Sequence, residues 1–176
     1  MTTRTPEQAL RSTHEHSGPF KAGMCKKMCR EAYAVPSDGS EDATEALSRV
    51  QELHRTGTPP RGALVWYTGG RSGHGHVAIS EGGGMIRSTD LPTSGQWGTV
   101  PRDEPVKAWG LRYAGWSPDI DGVRVLAEPR PKPKPVKPSR IAKHREALAA
   151  LAKDPKVGPA RRRAAARAAA ELKGFR

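Results

Sequence analysis

The sequence predicts an α+β domain followed by a Pro/Lys-rich linker and a basic helical tail. Three observations carry that expectation. Apolar residues recur at helical spacing through roughly the first third of the chain, then give way to short strand-like runs punctuated by glycine. All four Trp and all three Tyr precede residue 129. Charge is segregated: residues 1–128 carry 15 Lys and Arg against 15 Asp and Glu, whereas residues 129–176 carry 15 against three, so the net charge of +12 lies wholly in the second segment. With 176 residues and a 35% hydrophobic fraction, the chain has room for one core and an appendage. The expected divisions are a domain over 1–127, a linker over 128–139 and a tail over 140–176.

Each element follows from local chemistry. Thr5-Pro6-Glu7-Gln8 opens a short helix, with a capping hydroxyl and Pro in the first turn, ending near Gly18. Gly23 precedes a second helix from Met24 to Tyr33, where Cys25, Met28, Cys29 and Ala32 share one face at three- and four-residue spacing. Val35-Pro36 stops it, and the loop Ser37 to Ser40 caps a third helix expected from about Glu41 to His54. Beyond the turn at Gly57 to Pro60, strands are expected at Ala63–Tyr67, His76–Ser80, Met85–Ser88, Gln96–Val100 and Gly110–Trp116, with a short helical turn at Val106–Trp109. Alternate prolines from 129 to 138 make an extended spacer. Ile141–Ala152 and Ala160–Lys173 read as two Ala-rich helices whose small side chains give a thin core and an order dependent on a partner.

Several function classes fall away. No apolar run approaches the roughly 18–20 residues that cross a bilayer. The polar start, Met1 to Gly18, lacks a secretory leader, so the chain is expected to be made in the cytoplasm without a signal peptide. Its only two cysteines, Cys25 and Cys29, lie one helical turn apart and are poorly placed for a disulfide framework.

A thiol at the start of a helix meets the positive end of the dipole and unpaired amides, which favour thiolate. Cys25, behind Gly23, has that position. A thiolate nucleophile needs an imidazole from another element and a polar group to orient the ring. His76, opening a strand after glycine, is the candidate base, its ring facing away from Val77 and Ile79. Asp90 is the candidate orienter, and equally a turn cap toward Pro92. A cysteine in an amphipathic helix is more often a small core residue. The downstream Gly75-His76-Val77 tips Cys25 toward nucleophile, whereas mid-helix Cys29 reads as structural. His74 and His76 form a His-x-His pair, but no His-Glu-x-x-His or Cys-x-x-Cys spacing supports a metal, and no cofactor is called for.

The order Gly23-Met24-Cys25, then Pro60-Arg61-Gly62-Ala63-Leu64-Val65-Trp66, then Gly75-His76-Val77-Ala78-Ile79 resembles the papain-like peptidoglycan hydrolases of the CHAP and NlpC group, which include bacteriophage endolysins. The likeness covers roughly residues 18–118. It implies a papain-like fold, attack by Cys25 on an amide of the wall peptide, His76 as base then acid, and Asp90 as a weaker transfer. It also implies action at the bacterial wall after release through another protein. The Asp-Cys-Ser-Gly signature of NlpC is absent, with Met24 before the cysteine and Lys26-Lys27 after it, and Ala63 stands where an acidic residue often opens the first strand. These departures leave the bond specificity open.

Arg161, Arg162, Arg163 and Arg167 of the tail read as a polyanion-binding surface, best matched to anionic wall polymers that would tether a hydrolase. Sequence-specific nucleic-acid recognition is disfavoured, since only Phe175 is available for stacking. The rival reading is a catalytically inactive or virion-associated structural protein that binds nucleic acid or a wall polymer through this tail.

Overall fold

Three helices open the chain in the structure, a computed structural model that describes residues 2–127 and 140–172. α1 (Pro6–Glu15) begins with a reciprocal cap: Gln8 N–H donates to Thr5 Oγ1 at 3.3 Å, and Thr5 N–H donates to Gln8 Oε1 at 2.9 Å. α2 (Cys25–Ala32) buries Cys25, Lys26, Cys29 and Ala32 and leaves Met28 only half-buried. α3 (Ala43–Ser48) is far shorter than the helix expected from Glu41 to His54, and its cap is Asp42, which accepts from Glu45 N–H at 2.8 Å, rather than the Ser37–Ser40 loop. The sheet edge explains the early end. His54 exchanges backbone hydrogen bonds of 2.8 and 2.9 Å with Trp116 and stacks on its indole at 3.9 Å, which demands extended backbone where the periodicity favoured helix.

The strands are β1 (Leu64–Gly69), β2 (His76–Gly82), β3 (Met85–Thr89), β4 (Trp97–Pro101) and β5 (Leu111–Ser117), and α4 (Glu104–Trp109) precedes the last of them. They form one antiparallel sheet in the order β4-β3-β2-β1-β5. The α+β class therefore holds for this part of the chain. Helices α1 to α3 cover one face, where Leu10, Cys29, Tyr33, Leu64, Trp66, Val77 and Ile79 are buried together. The other face gathers Val65, Tyr67, Ala78, Ile86 and Leu111. Cross-strand alternation accounts for the split, since Leu64 and Trp66 stand opposite Ile79 and Val77.

A small hairpin not expected from the pattern follows, β6 (Asp119–Ile120) and β7 (Val123–Arg124). Its turn, Asp121-Gly122, has φ of +49° and +75°, the left-handed pair that a two-residue hairpin requires. Asp121 reaches back to α2. Its Oδ2 lies 2.9 Å from Lys26 Nζ, whose side chain is 7% exposed and also donates to Ser40 O at 2.9 Å, with Asp38 Oδ1 at 3.4 Å.

The chain divides into two compact units, Met1–Glu128 and Pro129–Arg176. The linker assigned to 128–139 lies outside the described residues. In the second unit α5 (Arg140–Lys153) and α6 (Pro159–Glu171) pack on each other. Ala165 is buried, and Leu151 is exposed. Among the described residues no helix is long and apolar enough to cross a membrane.

A buried lysine that loses the nearer of its two carboxylates is left with Asp38, at 3.4 Å, as its counterion. Asp121→Asn keeps a residue that tolerates the left-handed turn and removes the charge. It is expected to lower unfolding free energy by about 1–2 kcal/mol, measured by urea titration of the full chain.

Candidate active site

Cys25 is the first residue of α2, and Gly23, at φ +79°, turns the chain into that helix. The thiol is 8% exposed and opens into a cleft of about 1130 Å³ that His76, Asp90, Arg71, His74 and Trp109 also line. The three residues singled out from the sequence thus share one cavity. Cys29 does not join them. It is fully buried, and its S–H donates to Val77 O at 3.5 Å, which ties α2 to β2.

The sulfur is not the acidic thiol expected at a helix mouth. Burial pushes the Cys25 thiol up, and the charge of Asp90 adds to this; the backbone amides of Val77, Lys26 and Cys25 itself act in the opposite sense and lose. The resting group is a neutral thiol, because the dipole and amides of one turn do not outweigh desolvation.

His76 opens β2, and its ring lies against Tyr67 and edge-on to Trp109 at 5.0 Å between centroids, away from Val77 and Ile79 as expected. Gly75 is required before it. Gly75 has φ +64°, and a Cβ there would sit 2.5 Å from Tyr67 O and 2.8 Å from Thr44 Oγ1. The ring is 4% exposed, and desolvation lowers its pKa from 6.5 to about 4 against a smaller opposing pull from Asp90.

The ring's partner is Ser88, not Asp90. His76 Nε2 is 2.8 Å from Ser88 Oγ, and Ser88 Oγ donates its single proton to Thr89 O at 3.1 Å. With the hydroxyl proton on Thr89 O, Ser88 accepts from Nε2–H and Nδ1 is the ring's unprotonated nitrogen. Continuing the Ile79–Arg87 and Ser80–Ile86 register would set His76 opposite Asp90. At Asp90, however, φ is +63°, and the strand ends at Thr89. The carboxylate turns away to accept from Gly23 N–H at 3.1 Å and from Gly95 N–H at 2.7 Å. Asp90 is a clamp on the turn that leads into Cys25, closer to its turn-capping reading than to a ring orienter. Ser88 was visible as the residue two before Asp90 on the same strand face, but only the register and the backbone at Asp90 choose between them.

His74 does not pair with His76. Its Nδ1 lies 2.8 Å from Asp42 Oδ2 at the cap of α3. Among the described residues no group of three or more His, Cys, Asp or Glu side chains is arranged to hold a metal ion. Of the tail residues, Arg161, Arg163 and Arg167 are exposed on α6 and Arg162 is half-buried. The chain matches no protein-family model, and comparison with curated proteins and with solved structures finds no similar protein.

Burying His76 neutral makes stability depend on pH. Between about pH 4 and 6.5 the unfolded imidazole binds a proton that the folded one does not, so stability is complete above 6.5 and falls as the pH drops toward 4. The loss is roughly 3 kcal/mol. His76→Asn is expected to flatten the fall in melting temperature over that range, and the His76 ring resonance is expected to titrate near 4. In the same protein, alkylation of Cys25 at pH 7 is expected to be slower than that of a free thiol.

Proposed function

We propose that the first unit is a papain-like cysteine hydrolase that cleaves an amide bond of bacterial wall peptides, a relative of the CHAP and NlpC endolysins. The observation that carries this reading is the convergence of Cys25, from the start of α2, and His76, from the start of β2, on one cleft, with Nε2 of the imidazole held by Ser88. This is the division of labour a thiol–imidazole pair needs: one ring nitrogen anchored, the other a base.

The raised thiol and the neutral ring define how the pair works. No ion pair stands ready at rest; Nδ1 takes the thiol proton as sulfur attacks the carbonyl carbon. The oxyanion that forms is served by N–H groups of the first turn of α2, which lack acceptors within the helix. The imidazolium gives its proton to the leaving amine, and a thioester joins Cys25 to the acyl group. Water then attacks the thioester, its proton passing to Nδ1 and on to the departing sulfur. The Asp90 charge, held by two amides near the ring, favours the imidazolium stage. Ser88 thus takes the orienting role that the resemblance suggested for Asp90. The basic second unit, with Arg161, Arg163 and Arg167 exposed, serves as a tether to anionic wall polymers.

The rival reading, an inactive scaffold that binds a polyanion through Arg161 to Arg167, draws on the same burial of the thiol. Turnover separates the two. Wild-type protein is expected to release soluble fragments from purified wall preparations, with new amine termini detected by mass spectrometry. Cys25→Ala and His76→Ala are expected to abolish release, and Cys29→Ala to retain most of it. Ser88→Ala is expected to lower kcat by about tenfold to a hundredfold, less than the roughly 10²- to 10⁴-fold loss when an acid–base group itself is removed. Full release by Cys25→Ala defeats the hydrolase reading.

A further inference from the structure

A second groove lies on the helical side of the sheet, where α3 and the segment after it meet the ends of β1 and β5. It encloses about 670 Å³, with Leu47, Val50 and Leu53 on one wall and Thr68, Arg112 and Arg55 around them. Thr68 and Arg112 are cross-strand partners, and Arg55 follows directly on the His54 bridge to β5. The groove shares a wall with the active-site cleft. Thr44 lines it while donating from its hydroxyl to Gly73 O at 2.8 Å and from its N–H to His74 O at 3.0 Å, in the loop that borders the cleft.

Charge marks this path. Several basic side chains of the first unit are matched: Lys26 with Asp38 and Asp121, Lys27 with Glu31, Arg49 with Glu45, Arg61 with Glu81, Lys107 with Asp103 and Arg124 with Glu52. Among the described residues Arg55 and Arg112 in the groove, and Arg71 in the cleft, form no ion pair, and all three are exposed. The carboxylates nearest in sequence to Arg55 are engaged elsewhere, Glu52 by Arg124 and His54, and Glu45 by Arg49. Two exposed guanidinium groups without an ion pair thus line the groove and a third lines the cleft beside it, where forked donors suit oxyanions and the apolar wall suits a carbon body.

We propose that this groove is an anchoring subsite for an anionic group, a phosphate or a carboxylate, borne on the same polymer whose amide enters the cleft. In naming that polymer it rests on the hydrolase reading; the anion site itself does not. The full chain carrying Cys25→Ala, labelled with ¹⁵N, is titrated with polyphosphate and, separately, with polyglutamate. Saturable shifts of the Thr68 and Leu53 amides are expected with at least one probe, and the probe that gives them identifies phosphate or carboxylate as the ligand. Adding Arg55→Gln and Arg112→Gln is expected to weaken the groove response roughly tenfold and to leave shifts on α6 unchanged. Groove amides that stay still while α6 responds, or an affinity untouched by the double substitution, would overturn the site. Inert wall preparations with an intact groove response would instead remove the hydrolase reading and leave the anion site standing.

Discussion

The seating of α2 on β2 is the contact on which the rest of the first unit depends. It places Cys29 S–H on Val77 O, brings Val77 N–H to bear on the Cys25 sulfur, and sets the helix start beside His76, the residue before Val77. No single force makes it. Apolar side chains from α2 meet Leu64, Trp66, Val77 and Ile79, and buried Lys26 fixes the rotation of the helix through Asp121, Asp38 and Ser40 O. Burial supplies the affinity of one layer for the other, but it is nondirectional; the ion pair and the two sulfur contacts supply the register.

The cost of that seating falls on the chemistry. A sulfur packed this closely is desolvated, as is the imidazole that lines the same cleft, and each is driven toward its neutral form. Those two shifts are compatible with the proposed hydrolysis because they act together: transferring a proton between the groups creates both charges at once, with Asp90 favouring the imidazolium and the first-turn amides favouring the thiolate. Asp90 does this without touching the ring. Its two oxygens are held by Gly23 and Gly95, so its position is set by loops on both sides of the cleft.

Much of this was legible in the residues. The Thr5-Pro6 start, the helix at Cys25 and the strands from Ala63 onward follow from capping chemistry, spacing and β-branched or aromatic runs. The third helix was overextended because Val50, Leu53 and His54 keep helical spacing, and local pattern carries no information that Trp116 captures His54 from the sheet side. Asp121-Gly122 was a readable hairpin signal, yet its importance comes from a lysine some 95 positions earlier. Cys25 and His76 were found because glycine and element starts mark them locally. Sequence does not choose between Asp90 and Ser88 as the ring's hydrogen-bond partner, because two polar residues on one strand face are equivalent in sequence and are separated only by a left-handed backbone at the strand end.

The Lys26–Asp121 pair has a consequence for biosynthesis. A growing polypeptide that has not yet reached its hundred-and-twenty-first residue leaves the lysine next to Cys25 without its closest counterion. Helix and sheet can assemble earlier, but the second carboxylate that holds Lys26 arrives only with the last hairpin of the unit. Full pairing of this lysine is thereby coupled to near-completion of the domain, and products that end before the hairpin hold the helix by the remaining contacts alone.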